Sequence, residues 1–185
     1  MLSPKRDEHY TYDDYRTWDD GKRWELISGV AYAMAPAPSM THQRISMRLS
    51  RMLSTFLIGK PCEAFAAPFD VRLNADDEDD TVVQPDLVVI CDRSKISEQG
   101  CKGAPDLVIE ILSPASARHD RWLKFNLYKN VGVREYWIVN PEEKDVEVFI
   151  LKEGEFIRKI YVDTDAAPIS ILPGCEINLQ EVFLD

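Results

Sequence analysis

An α+β fold, a central mixed β-sheet flanked by helices, is the architecture this sequence predicts, and three observations predict it. Pro85-Asp86-Leu87-Val88-Val89-Ile90 and Ala104-Pro105-Asp106-Leu107-Val108-Ile109-Glu110-Ile111-Leu112-Ser113-Pro114 are short β-branched runs, apolar on both faces, as fully buried central strands are. Two helical patterns, one after Ser39 and one closing at Gly132, are interleaved with them. Finally, three further strand-like runs follow Gly132, joined by short charged turns. Strands and helices in this mixed order give an α+β layer structure.

The bulk numbers set limits. A chain of 185 residues fits one domain, 1–185, able to bury roughly 70% of its unfolded surface, with residues 1–10 as a flexible start. Its 45% hydrophobic and 29% charged residues are ordinary for a soluble protein, and no run approaches the ~20 apolar residues of a membrane span. Met1 to Glu8 has no apolar signal-peptide core, so the expected location is the cytoplasm. Cys62, Cys91, Cys101 and Cys175 are widely spaced and form no C-x-x-C pair, and reduced thiols are expected at all four. The net charge of -10 argues against broad nonspecific nucleic-acid affinity, although a bound cation inverts the field locally.

The elements follow in order. Thr11 and Asp14 suggest a capped short helix through Trp18, and Trp24–Ile27 and Val30–Met34 a hairpin about Ser28-Gly29, ended by Pro36 and Pro38. Ser39 or Thr41 caps the longest helix, with Ile45, Leu49, Met52 and Phe56 on its apolar stripe and Gly59 as its stop. Arg44, Arg48 and Arg51 share one flank of it; a solvated face is about twice as common as a phosphate-contacting one. Phe69–Leu73 alternates like a strand, and Asp76–Asp80 lacks the ligand spacing of a calcium loop and is expected to be a solvated turn. Ser113–Ser116 caps a helix over Ala117–Val131; strands are expected at Glu135–Val139, Val146–Leu151, Phe156–Val162 and Ile169–Gly174, with a helical turn near Leu179–Phe183.

Phosphate loops, dinucleotide fingerprints, H-E-x-x-H pairs and nucleophile elbows are absent from the sequence. His9, His42 and His119 lie near the chain start or at helix ends, positions usually on the surface. What remains is a pair of acids in apolar strands. Asp86 opens the first and Glu110 lies within the second, where an uncompensated carboxylate costs several kcal/mol, so two of them on neighbouring strands suggest a metal site. Lys124 falls inside the apolar arc of Leu123, Leu127, Tyr128 and Val131. Alone, it is best read as an i,i+4 partner of Asp120, worth ~0.3–0.5 kcal/mol; beside two strand-borne acids it is a candidate for orienting water or neutralising a phosphate.

These residues resemble the PD-(D/E)xK nuclease superfamily and, within it, the Uma-type restriction endonuclease family. Pro85-Asp86 resembles the first motif and Glu110-Ile111-Leu112 the second, with Leu112 in the place of the usual lysine. Trp24-Glu25-Leu26-Ile27-Ser28-Gly29, the run Ala104 to Pro114, Asp120 with Lys124 and Tyr128, and Gly132-Val133-Arg134-Glu135-Tyr136-Trp137-Ile138-Val139 extend the likeness from about Trp24 to Phe149. The resemblance implies a restriction endonuclease-like fold. It implies Asp86, Glu110 and the Ile111 carbonyl as ligands of Mg²⁺, with Mn²⁺ as a substitute, Lys124 as the displaced lysine and Glu25 as an additional catalytic acid. It further implies hydrolysis of DNA phosphodiester bonds, commonly by a homodimer. Two other readings stand beside it: a nuclease-like binding or assembly module without turnover, favoured by the acidic charge and the absent E-x-K lysine, and a metal-dependent hydrolase of another substrate.

Overall fold

Thr11 donates through its backbone N–H and its hydroxyl to Asp14 Oδ2, at 2.9 and 3.0 Å, and this starts a one-turn helix, α1 (Tyr12–Tyr15). The computed structural model describes residues 3–5, 8–34, 37–75, 77–114 and 119–184, excepting the side chains of 119 and 120. After α1 comes the hairpin β1 (Trp24–Ile27) and β2 (Val30–Ala33). Its turn residues Ser28 and Gly29 both have positive φ, 49° and 75°, the twist that a two-residue hairpin needs. A Cβ at Gly29 would lie 2.1 Å from the exposed His9 ring, which would have to turn aside for any other residue.

Ser39 accepts from the His42 backbone N–H at 3.2 Å and begins α2 (Met40–Leu57). Its buried face is His42, Ile45, Leu49, Leu53 and Leu57, with Met52 and Phe56 at the margin. Short strands follow: β3 (Glu63–Ala66), β4 (Val71–Arg72), β5 (Val82–Val83), β6 (Leu87–Ile90), β7 (Ile96–Ser97), β8 (Gly100–Lys102) and β9 (Leu107–Ile111). A π-helical segment, His119–Lys124, runs directly into α3 (Phe125–Val131), which Gly132 ends in the left-handed conformation, φ 84°. Then come β10 (Glu135–Asn140), β11 (Asp145–Lys152), β12 (Glu155–Val162), β13 (Ala166–Pro168), β14 (Glu176–Asn178) and α4 (Leu179–Val182).

The central sheet has the order β12-β11-β10-β9-β6-β3 and is mixed, since β9 and β10 are parallel and the other pairs antiparallel. One face, with Leu87, Val89, Leu107, Ile109 and Ile111, packs under α2 and α4. The other, with Val88, Ile90, Val108 and Ile138, packs under α3 and against residues of a second mixed sheet, β2-β1-β5-β4-β8-β7. A strand buried on both faces needs an unbroken apolar run, which is why β6 and β9 stand out in the sequence. Among the described residues, no helix is long and apolar enough to cross a membrane.

Several expectations change. Ile169–Gly174 is a pair of tight turns, Leu172 N–H to Ile169 O and Cys175 N–H to Leu172 O, and the strands lie on either side of it as β13 and β14. Arg48 donates to the carbonyls of Val182 and Leu184, and Arg51 pairs with Glu181 at 3.0 Å, so two of the three helix arginines hold the C-terminal helix. Cys62 and Cys91 are joined as a disulfide rather than reduced, because each lies one step beyond the Glu63–Ile90 register pair and the two face one another. Such bridges persist chiefly in oxidising compartments, which pulls against the expected cytoplasmic location. Cys101 and Cys175 are free and buried. Of the helix expected over Ala117–Val131, residues 117 and 118 lie outside the described residues.

The acidic turn is more than a solvated loop. Asp79 pairs with Arg72, and Asp80 is buried, accepting from Asn74 Nδ2 at 2.8 Å, Thr81 Oγ1 at 2.9 Å and His9 Nε2 at 3.0 Å. Burial pushes the Asp80 carboxyl up, but these hydrogen bonds outweigh it and hold it below its ordinary value. A lowered folded-state value contributes stability above the unfolded value, ~3.9, and that contribution disappears as pH falls through the folded value. Asp80→Asn should therefore cost about 1–3 kcal/mol in urea unfolding at pH 7, with the difference from wild type shrinking below about pH 4.

Candidate active site

The end of the β6–β9 ladder is where the two strand-borne acids meet. Leu87 pairs with Ile109, so Asp86 and Glu110 stand opposite each other one step beyond. The Ile111 N–H donates to Asp86 Oδ2 at 2.8 Å, the carboxylate taking the place of a backbone partner where the ladder stops. His42 Nε2, from the first turn of α2, lies 3.1 Å from the same oxygen.

Glu110 and Glu25 are both 4% exposed, and Lys124, also 4% exposed, lies between them. Its Nζ is 2.9 Å from Glu110 Oε1 and 2.9 Å from Glu25 Oε1. The Tyr128 hydroxyl donates to Glu110 Oε1 at 2.8 Å, and the Gln84 N–H to Glu25 Oε1 at 3.0 Å. Burial first, then the charges of Glu110 and Glu25, push the Tyr128 hydroxyl well above its ordinary value, so it remains a donor. The groups arrive on several elements: Glu25 on β1, Asp86 before β6, Glu110 on β9, Lys124 at the end of the π-helical segment and Tyr128 one turn on, in α3. An ammonium so deeply buried is tolerable only because carboxylates pair with it and accept its hydrogen bonds.

The four candidate side chains Glu25, Asp86, Glu110 and Lys124 are thus gathered at one end of the central sheet, together with the backbone of Ile111. Glu25, by its sequence an ordinary exposed strand residue, is buried there. Lys124 has the two glutamates as partners, while the side chain of Asp120 lies outside the described residues. His42, expected at the surface, is buried; the signal for it is its spacing, since 42, 45, 49 and 53 share one helical face. Gln84 reaches further: its side chain bonds Tyr15, Asp70 and Arg23, linking the site to α1.

Two carboxylates, Glu25 and Glu110, surround the ammonium and a third, Asp86, faces the imidazole, and together these oxygen donors are the residue type that hard divalent cations take. Among the described residues, one set of three metal-capable side chains has ligand atoms mutually within 4.8 Å, the exposed His9 and Glu78 with the buried Asp80, and it includes none of these acids.

Residues 12–180 match the Uma2 family, whose description is "Putative restriction endonuclease". The chain belongs to that family. A crystal structure of "a putative nuclease belonging to DUF820" from Anabaena variabilis ATCC 29413 superposes with a TM-score of 0.75 and 20% identity, covering 94% of this chain and 97% of that one. This likeness shows the restriction endonuclease-like fold. Uncharacterized protein slr1290 of Synechocystis sp. is 31% identical over 69% of this chain and 66% of its own length. Uncharacterized protein sll1609 of the same organism is 29% identical over 63% of this chain and 65% of its own. The chain therefore spans just under two thirds of these curated relatives.

Proposed function

We propose that this Uma2-family chain is a Mg²⁺-dependent endonuclease that hydrolyses DNA phosphodiester bonds. The observation that carries the reading is Lys124, buried 2.9 Å from both Glu25 and Glu110 on the strand next to Asp86. Leu112 stands where the superfamily lysine belongs, and a lysine from the following helix reaches the acids instead. Asp86, Glu110 and the Ile111 carbonyl would hold Mg²⁺ or Mn²⁺. When bound, such an ion polarises a phosphoryl oxygen and supplies a water acidic enough to attack near neutral pH.

The protein's own groups then have separable tasks. His42 and the Ile111 N–H fix the Asp86 carboxylate, and Tyr128 fixes Glu110. Glu25 holds the Lys124 ammonium in place, where its charge stabilises the negative charge that grows on the phosphate in the transition state. Two cuts on antiparallel strands are most simply made by a two-fold pair, and the proposal includes a homodimer. The test is incubation of supercoiled plasmid and single-stranded DNA with the protein in Mg²⁺, in Mn²⁺ and in EDTA. Nicking or linearisation in either metal and none in EDTA supports the reading; intact DNA throughout moves the module without turnover ahead of it.

A further inference from the structure

The helix that brings Lys124 to Glu110 brings a second cation to a second buried acid. Glu110 pairs with Ile138, and Ile138 with Glu147, so the three form one row across β9, β10 and β11. Directly paired residues on neighbouring strands project from the same face. Glu147 therefore stands two strands from Glu110, ~10 Å away at the usual strand spacing. It is 4% exposed and binds the guanidinium groups of Arg121 and Arg158. Arg121 on Glu147 thus repeats Lys124 on Glu110, three residues earlier on the same segment.

The two contacts differ in what surrounds them. Lys124 is enclosed, whereas Arg121 and Arg158 border a cavity of about 470 Å³ that also contains Trp122, Glu147, Ile138 and Phe149 in its walls. The cavity is a recess open to solvent rather than an enclosed pocket. Trp122 is 76% exposed, so hydrophobic burial does not account for it. Asp145, two residues before Glu147 on the same face of β11, also lies within the field of Arg121 and Arg158, so the two guanidinium groups are balanced by two carboxylates. Each guanidinium has five N–H donors, more than a shared carboxylate can accept, so donors remain for an anion.

We propose that this cavity binds an unpaired base of the DNA strand beside the scissile phosphate, the base stacking on Trp122 and the adjoining phosphate meeting Arg121 and Arg158. The proposal rests on the endonuclease reading and names its substrate form: single-stranded or locally opened DNA. An aromatic face next to cations is how single strands are held without sequence preference, and a base inside a duplex has no free face to offer. The row from Glu110 to Glu147 sets the subsite along the sheet from the acids, on the same face.

Fluorescence anisotropy of a fluorescein-labelled oligothymidylate, and of a duplex of equal length, tests it in Ca²⁺ with wild type, Trp122→Ala and Trp122→Phe. Trp122→Ala should weaken single-strand binding roughly 5- to 100-fold, the loss of one stacked base, and Trp122→Phe should recover most of it. Duplex binding should change far less. The exposed site makes a folding defect an unlooked-for outcome, and circular dichroism of each variant verifies it. Single-strand binding equal to wild type in Trp122→Ala, or no single-strand binding by wild type, overturns the subsite. Plasmid cleavage by wild type with no effect of Trp122→Ala on binding leaves the endonuclease standing and removes the subsite. Trp122-dependent binding without cleavage in Mg²⁺ or Mn²⁺ removes the endonuclease and leaves a single-strand-binding site.

Discussion

Lys124→Met should reduce plasmid cleavage by about 10²–10³-fold, the usual loss when one donor to transition-state charge is removed. It should also cost about 3–5 kcal/mol of stability, because Glu25 and Glu110 then face one another inside the protein with no cation between them. Urea unfolding should show this penalty shrinking as pH is lowered from 8 to 5, since protonating either carboxylate removes the repulsion. Pairing the change with Glu25→Gln separates the two effects: stability returns while cleavage does not. Lys124→Arg should restore charge without full activity, because a planar guanidinium is larger and aims its donors differently. If Lys124→Met cleaves as wild type does, the lysine is a structural counter-ion only.

Glu110→Gln should lower cleavage by about a thousandfold or more, since a lost metal ligand removes several kcal/mol of transition-state stabilisation and ~4 kcal/mol is about three decades. The fold should be within about 1 kcal/mol of wild type. The amide oxygen still accepts from Tyr128, and Lys124 still has Glu25. Facing acids alone would suggest that removing Glu110 relieves repulsion with Asp86 and stabilises the protein. The pairing of Glu110 with Lys124 and Tyr128 takes that expectation away. A normal cleavage rate in Glu110→Gln would remove Glu110 from the reaction.

What was legible in the sequence follows from what local chemistry decides. β6 and β9 were visible because burial on both faces demands continuous β-branched runs, and α2 because its cap, its spacing and its glycine stop agree. Of the second sheet, the β1–β2 hairpin and β4, inside the alternating run Phe69–Leu73, were legible, whereas β5, β7 and β8 were not, since they are two or three residues long and exist through their pairing rather than their propensity. The Cys62–Cys91 bridge depends on the register of β3 against β6, which separation along the chain does not encode. Asp86, Glu110, Lys124 and Glu25 could each be named before their neighbours were known, through the misfit of charge in apolar runs and the family likeness. The orienting partners were less legible: His42 shows only in its helical spacing with Ile45 and Leu49, and Gln84 only in its nearness to Asp86, because a histidine or glutamine beside a helix or strand end is usually a surface residue.

The central claim, that Asp86 and Glu110 hold one divalent cation together, is met most directly by isothermal titration calorimetry of Mn²⁺ into wild type, Asp86→Ala and Glu110→Gln. Saturable binding by wild type, lost or strongly weakened in both variants, is the result the site predicts. Equal binding by all three proteins would contradict it.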